Sequence, residues 1–204
     1  MHDEVLTEKQ KRLLPLVKSF SKDFGLVGGT AIALQLGHRR SIDFDLFTLS
    51  DFDAVEARDG VRKKHNIQTV FVENPNELTM SIDGVKATFY KFPFKISFSE
   101  NFKDVIKMPD LLTLGAMKTF ALGRRAKWKD YVDLYFIFRK YTIRQISDKA
   151  KSLFSGEFNE KLLREELSYF KDIDYSESIN YLKGFEIDNI EIERRLEEIS
   201  LSDT

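Results

Sequence analysis

Cysteine is absent from this 204-residue sequence, which excludes disulfides and thiolate chemistry. Histidine is scarce, with three residues, and this argues against a zinc site. No stretch approaches the roughly 20 apolar residues that a membrane-spanning helix needs. The N-terminus has early acids and only short apolar runs, unlike a secretory signal. These absences leave oxygen ligands for any metal and predict a cytoplasmic protein.

Charge is nearly balanced overall, at −1, but it is unevenly distributed along the chain. Residues 1–156 carry 26 Lys and Arg against 19 Asp and Glu, a balance of +7. Residues 157–204 carry 6 against 14, a balance of −8. A moderately basic body suits a polyanionic ligand such as a nucleotide or RNA, although an unevenly charged, merely solvated surface explains the same numbers.

Hydrophobic periodicity predicts an αβ part followed by a helical part. The predicted elements of the αβ part are a helix over 5–21 with a kink or break at Pro15, a strand in FGLVGG, a helix from Thr30 to Gly37, a strand over 42–48, a helix at about 51–65, and strands in NIQTVFVEN, ELTMSID and VKATFYKF. Asp83-Gly84 lies between the last two strands and signals a hairpin.

The rest of the chain reads as helical. Pro109 and Asp110 open a helix of about 110–124, WKDYVDLYFIFRKY continues as a second, and everything from about residue 143 looks helical and charged. We therefore predict an α+β fold. A mixed β-sheet flanked by helices occupies residues 1–107, and a helical bundle that contributes to the active site occupies residues 108–204.

A glycine pair ends the first predicted strand and precedes a helix. Because glycine has no side chain, the backbone N–H groups of Gly28 and Gly29 can approach an oxyanion closely, and the helix directs its positive end to the same place. Phosphate suits such a turn. The pair is equally typical of a plain tight turn between strand and helix.

Two acids stand two residues apart on the next predicted strand. Asp43 and Asp45 therefore project from one face, whereas Phe44 points into the core. Carboxylates so placed repel each other unless a cation lies between them, and hard oxygen ligands suit Mg²⁺ or Mn²⁺. An exposed acidic strand face is the alternative interpretation. The apolar neighbours of the pair, one helix away from the glycine turn, favour the metal site.

The segment GGTAIALQLGHRRSIDFDLF combines these features, and it resembles the active-site motif of the DNA polymerase β nucleotidyltransferase superfamily. More narrowly, it resembles the AbiEii/AbiGii toxin family of nucleotidyltransferases, whose members carry a Gly-His-Arg-x-Ser-x-Asp-x-Asp-Leu-Phe run. The resemblance implies a metal held by Asp43 and Asp45, loop hydrogen bonding by His38, and a nucleoside triphosphate bound by Gly28, Gly29, Thr30, Arg39 and Ser41.

A second segment, GAMKTFALGRRAKWKDYVDLYFIF, is similar to the later motif of the same family. Its matching residues are Lys118, Arg125, Asp130 and Asp133. The resemblance implies that Lys118 meets the triphosphate and that Asp130 is the functional acid, and we assign Asp133 to a salt bridge with Arg125 or Arg139. The basic residues Arg124, Arg125, Lys127 and Lys129 form either a ridge for phosphates or RNA, or a solvated helix end.

The sequence departs from the superfamily pattern at the third carboxylate, which many members carry on a later strand. Ala87 and Thr88 occupy the middle of the corresponding strand here, and Asp83 in the preceding turn is a weak substitute. The metal site is therefore expected to rest on two carboxylates and the oxygens of the nucleotide.

The predicted activity is metal-dependent transfer of a nucleoside monophosphate from an NTP to an acceptor hydroxyl. The expected acceptor is RNA, at the 3′ end of tRNA, and the expected setting is a toxin–antitoxin or phage-defence system. Two alternatives stay open: a catalytically weak module that binds nucleotide or antitoxin, and a nucleotidyltransferase that acts on protein. The resemblance also implies a cognate antitoxin, which the acidic C-terminal helices could contact.

Overall fold

The computed structural model describes residues 1–122 and 124–202 and confirms the predicted α+β class. Two compact units make up the chain, one over residues 1–110 and the other from residue 111 onward. The boundary between the two units lies three residues beyond the predicted one between residues 107 and 108. That the two units are separate domains stays a prediction. In the part of the chain that is described, no helix is both long enough and apolar enough to cross a bilayer.

The first unit is built around a mixed five-stranded sheet. Its strands are β1 (Gly25–Val27), β2 (Phe44–Thr48), β3 (Ile67–Asn74), β4 (Glu77–Ile82) and β5 (Val85–Lys91). They lie in the order β1-β2-β5-β4-β3; β2 and β5 pair in parallel, and the other neighbours pair antiparallel. Two further short strands, β6 (Glu100–Phe102) and β7 (Ile106–Met108), form a separate ladder that the sequence did not predict.

The helices predicted up to residue 141 are present, with ends at most three residues from the predicted ones. The helices of the structure are α1 (Glu8–Ser19), α2 (Gly28–Leu36) and α3 (Ala54–Arg62) in the first unit, and α4 (Leu111–Leu122), α5 (Trp128–Phe138), α6 (Ile143–Phe154), α7 (Glu160–Glu166) and α8 (Asn189–Ser200) in the second. The predicted start of α2 at Thr30 is wrong by two residues, whereas its end at Gly37, in left-handed conformation with φ 72°, is confirmed. Residues 167–188 are irregular, not helical as predicted.

Pro15 lies inside α1 without ending it, so the predicted break is wrong. The helix starts with a capping box between Thr7 and Gln10, and it buries Leu13 and Val17 on one face. Just beyond its end, the ring of Phe20 packs on Phe89 of β5, with centroids 4.7 Å apart. Burial of this face outweighs the backbone hydrogen bond that proline removes.

The sheet presents one buried and one partly exposed face. Along β2, Phe44 and Leu46 are each 1% exposed, while Asp45 between them is partly exposed. β5 follows the same alternation, with Ala87 and Phe89 buried and Thr88 on the other face. The acid of the motif therefore lies on the face away from the core.

Replacing Pro15 by Ala is expected to stabilise the protein, because the exposed side chain contributes no burial and alanine restores the missing backbone donor. We expect the free energy of unfolding to rise by about 1–3 kcal/mol, measured by urea denaturation of the full chain. The exposed Arg12→Ala change in the same helix is the control and should be neutral. A loss of stability in Pro15→Ala would contradict this account.

Candidate functional site

Pairing of β1 with β2 brings the glycine turn against one of the two acids. Val27, the last residue of β1, lies opposite Asp45 of β2. The next residue, Gly28, has φ 71°, which favours glycine strongly. A Cβ added to Gly28 would overlap the Asp45 carboxylate, whose Cγ lies 3.0 Å from that position. The turn and the carboxylate are thus in direct contact.

Two more predicted residues gather at the second glycine. A Cβ on Gly29 would lie 2.8 Å from Nη2 of Arg39 and 3.2 Å from Oγ of Ser41. Arg39 is 4% exposed, and its Nη1 donates to the carbonyl of Arg40 at 2.9 Å. His38 is fully buried, and its predicted hydrogen bonding within the loop stays a prediction. Glycine pair, guanidinium and hydroxyl therefore share one small region.

The N-terminus of α2 lies in that region without a side-chain cap. Val27 is its N-cap residue and offers no side-chain hydrogen bond. The first N–H groups of an α-helix have no acceptor within the helix, and the helix dipole places partial positive charge there. Uncapped N–H groups beside two glycines form a site that suits an anion such as phosphate.

Asp43 precedes β2, which begins at Phe44 and not at residue 42 as predicted. Its backbone carbonyl accepts a short hydrogen bond from the Thr30 hydroxyl and a longer one, 3.5 Å, from Nε2 of Gln10. The side chain is partly exposed, like that of Asp45. The backbone of Asp43 is thus fixed by contacts from both α1 and α2.

The hydroxyl of Thr30 is used within the protein. Thr30 is 1% exposed and its hydroxyl donates to the Asp43 carbonyl, so the side chain positions the backbone of the acid, and the predicted contact of Thr30 with a triphosphate stays a prediction. The sequence did not predict a role for Gln10, which is fully buried in the structure. The signal that marks it is the capping box with Thr7, in which Gln10 is the third residue of the helix.

Thr88 of β5 is the register partner of Asp45, so it lies beside Asp45 on the neighbouring strand. The Thr88 hydroxyl lies 3.2 Å from that of Thr79, which donates to Glu77 Oε1 at 2.7 Å.

Asp83 does not substitute for the missing acid. It forms the β4–β5 turn, where its carboxylate accepts the Asn66 backbone N–H and bonds His65 Nδ1 at 2.8 Å, and that bond lowers the pKa of Asp83.

The oxygen donors at this place fit a magnesium ion. No group of three or more His, Cys, Asp or Glu suited to a metal occurs among residues 1–122 and 124–202, so Asp43 and Asp45 are the pair to consider. Mg²⁺ is commonly bound through one or two carboxylates and completes its shell with water and substrate phosphates. Asp45, in contact with the glycine turn, matches that requirement, and Asp43, two residues earlier and partly exposed, is the predicted second ligand.

In the second unit, the residues of the second motif form a buried ion cluster. Lys118 Nζ lies 2.7 Å from Asp130 Oδ1 and 3.0 Å from Asp133 Oδ2, and Arg125 Nε lies 3.1 Å from Asp130 Oδ2. The Lys118 side chain is 5% exposed and both acids are 0% exposed. Lys118 is therefore buried between two acids, and its predicted contact with the triphosphate stays a prediction. Asp133 has Lys118 as a salt-bridge partner.

The basic residues Arg124, Arg125, Lys127 and Lys129 each pair with an acid of the same unit. Arg124 lies over the Phe120 ring and pairs with Glu157 at 3.3 Å, and Arg125 pairs with Asp130. Lys127 and Lys129 both bind Glu177, the former at 2.6 Å. Burial raises the pKa of Glu177, but the two lysine hydrogen bonds outweigh it and lower the pKa to about 2. All four cations thus have acidic partners, and a ridge for phosphates or RNA stays a prediction.

Comparisons with known proteins agree on the fold. The chain is similar to MenT4, a nucleotidyltransferase toxin from Mycobacterium tuberculosis, with a TM-score of 0.64 and 13% identity over 94% of this chain and 81% of that one. JHP933 from Helicobacter pylori matches with a TM-score of 0.57 and 16% identity over 96% and 91% of the two chains. The chain therefore shares the fold of these two proteins.

Sequence comparison gives a relative without a known activity. Uncharacterized protein aq_aa25 from Aquifex aeolicus is 29% identical over 175 residues, which cover 82% of this chain and 84% of the relative. No protein-family model matches the sequence.

Replacing Lys118 by Met is expected to destabilise the protein by about 3–5 kcal/mol, because it leaves two buried carboxylates without their shared cation. Arg125→Met is the matched control. The Arg125 side chain is 52% exposed, so we expect its loss to cost less than about 1 kcal/mol. Urea denaturation measures both, and equal effects would contradict a central role for Lys118.

Glu177→Gln is expected to lower stability slightly, by less than about 1 kcal/mol at pH 7, because the carboxylate is 41% exposed. A carboxyl group with a depressed folded-state pKa stabilises the fold above its unfolded pKa and loses that effect as pH falls. The difference between wild type and variant should therefore be constant above pH 5 and shrink from about pH 4.5 to about pH 2. A difference that grew on acidification would contradict the proposed ion pairs.

Proposed function

We propose that this protein is a metal-dependent nucleotidyltransferase that transfers a nucleoside monophosphate from an NTP to an acceptor hydroxyl. One observation carries the proposal: the Asp45 carboxylate lies against Gly28 at the uncapped start of α2. A metal–triphosphate complex needs a carboxylate for the metal and backbone N–H groups for the phosphates side by side, and Asp45 and the glycine turn provide them. The fold, shared with MenT4, supports the same class of reaction.

The triphosphate is bound by the backbone of the turn and by two side chains. The N–H groups of Gly28 and Gly29 donate to phosphate oxygens, assisted by the dipole of α2. Arg39 and Ser41, which approach Gly29, supply a charge and a hydroxyl to the same oxygens. Thr30 contributes by holding the Asp43 backbone in place.

Asp43 and Asp45 are the residues that would hold Mg²⁺ or Mn²⁺, and the bound ion would neutralise negative charge on the phosphates. The acceptor oxygen forms a bond to the α-phosphorus, and the bond from that phosphorus to the bridging oxygen of the β-phosphate breaks. Pyrophosphate leaves, and the proton of the acceptor hydroxyl passes to a carboxylate or to water. Donors fixed at the turn before the reaction stabilise charge that develops on the phosphoryl oxygens.

The biological setting proposed is that of the AbiEii/AbiGii toxin family. The Gly-His-Arg-x-Ser-x-Asp-x-Asp-Leu-Phe run in residues 37–47 supports it, and so does the fold of MenT4, a nucleotidyltransferase toxin. The acceptor proposed is RNA, at the 3′ end of tRNA, in the cytoplasm. A cognate antitoxin is the proposed protein partner, with the acidic segment 157–204 as its contact surface.

Lys118 and Asp130 remain proposed participants through the family resemblance. In the structure they form an ion pair, with Lys118 Nζ 2.7 Å from Asp130 Oδ1, and this pair joins α4 to α5. Any direct part in phosphate binding would require Lys118 to exchange a carboxylate for a phosphate oxygen.

The rival proposal is a module that binds nucleotide or antitoxin with weak catalysis or none. Thr88 favours it, because a hydroxyl stands beside Asp45 where many related enzymes have a third acid. Titration with each NTP, paired with a pyrophosphate-release assay on copurified tRNA and on the protein itself, separates the two. Binding without release supports the rival, and mass spectrometry identifies a tRNA or protein acceptor.

Asp43→Asn and Asp45→Asn are each expected to reduce nucleotide incorporation at least 100-fold, because each removes a metal-binding charge on a partly exposed face. Asp43→Asn should leave the urea midpoint within experimental error. The exposed Asp51→Asn is the control and should incorporate nucleotide normally. Normal turnover by Asp43→Asn would refute the assignment.

The two glycines are expected to respond differently to alanine. Gly28→Ala meets a positive φ and the Asp45 carboxylate, so both stability and nucleotide binding should fall. Gly29→Ala meets the flexible end of Arg39, so stability should change by less than about 1 kcal/mol while NTP affinity drops several-fold. Calorimetric titration and urea denaturation check both, and unchanged affinity in Gly29→Ala would argue against the phosphate site.

A further inference from the structure

Aromatic side chains extend the acidic face of the sheet toward the end of β2. Phe47 follows Asp45 by two residues and therefore points to the same side of the strand. Its register partner in β5 is Tyr90, and the two ring centroids are 5.1 Å apart. Phe92 joins them at 5.2 Å from Phe47. We call these three rings, Phe47, Tyr90 and Phe92, the aromatic platform.

The platform is not sealed into the core. Phe47, Tyr90 and Phe92 are all partly exposed, in contrast to Phe44, Leu46 and Phe89 on the other face, each 1% exposed. Gly25 lies opposite Phe47 in β1, and the ring of Phe98 occupies the place of its absent Cβ, with Cγ 2.8 Å from it. Aromatic rings therefore lie on both sides of Phe47: Tyr90 on β5, and Phe98 over Gly25 of β1.

From this geometry we infer that the aromatic platform stacks the base of the incoming nucleotide. The inference rests on the proposed function, because the phosphate turn fixes where the nucleotide begins. Asp45 touches that turn, and Phe47 lies about 7 Å further along the same strand. A nucleotide carries its base one ribose away from the α-phosphate, so phosphates at Gly28 and Gly29 allow the base to reach the platform.

The chemistry of the rings matches a nucleobase better than another ligand. Every base has an aromatic face, and bases stack on Phe and Tyr regardless of sequence. The platform itself carries no charge, and its one polar group is the Tyr90 hydroxyl. It therefore selects a flat aromatic group while the turn and the acids provide the charged contacts.

The test compares NTPs with tripolyphosphate, which has the phosphates and no base. In the full-length protein with Mg²⁺, Phe47→Leu and Tyr90→Leu should each weaken binding of ATP, CTP, GTP and UTP on the order of 10-fold. Tripolyphosphate affinity should stay unchanged. Phe47→Tyr keeps a ring and should retain NTP affinity, and Phe71→Leu, an exposed ring on β3, is the matched control. Urea midpoints confirm that each variant is folded.

Three outcomes overturn the inference. Unchanged NTP affinity in both leucine variants excludes a stacked base. An equal loss for NTP and tripolyphosphate makes the platform structural. A raised KM for the RNA acceptor with unchanged NTP affinity assigns the platform to the acceptor's base. If the wild-type protein binds neither NTP nor tripolyphosphate, the proposed function itself fails, and this result differs from the other three.

Discussion

The antiparallel pairing of β1 with β2 is the constraint on which the candidate site depends. Its register places Val27 opposite Asp45, so the residue that follows Val27 must meet that carboxylate. A side chain at position 28 would occupy the same space, and the backbone there is left-handed. Glycine satisfies both requirements. A single ladder of three residue pairs thus brings the start of α2, a carboxylate and the loop of Arg39 together.

The two motifs that resemble one family have different physical surroundings. In the first, Gly28, Gly29, Asp43 and Asp45 are partly exposed. In the second, the buried Lys118 meets two buried carboxylates, and the half-exposed Arg125 meets one of them. Each charge in a buried ion pair needs an opposite charge beside it, because an unpaired charge in the interior lowers the free energy of unfolding. The second motif therefore has a structural requirement of its own, whatever part it has in catalysis.

Local signals in the sequence were enough for most of the fold, and long-range contacts explain what they missed. Alternation and the Asp83-Gly84 turn predicted the strands and the hairpin, whose two turn residues both have positive φ. The sequence could not show that the Thr30 hydroxyl binds the Asp43 carbonyl, because the partner lies in another element. Nor could the sequence show that Lys118 pairs with Asp130 and Asp133, because these acids lie on α5 and meet Lys118 only when α4 and α5 pack. Residues 167–188 read as helical, yet they are held in an irregular path where Tyr175 stacks on Trp128 and Asp174 pairs with the backbone next to Trp128.

The parallel ladder between β2 and β5 has a consequence for how the site is assembled. β2 ends at Thr48 and β5 begins at Val85, so the segment that forms α3, β3 and β4 must be made before these strands can meet. Pairings between distant segments form late, because the loop entropy has to be overcome first. During synthesis the glycine turn and both acids leave the ribosome early, but Asp45 gains Thr88 as its neighbour only later. A nascent chain stalled before β5 would thus present the motif without its completed sheet.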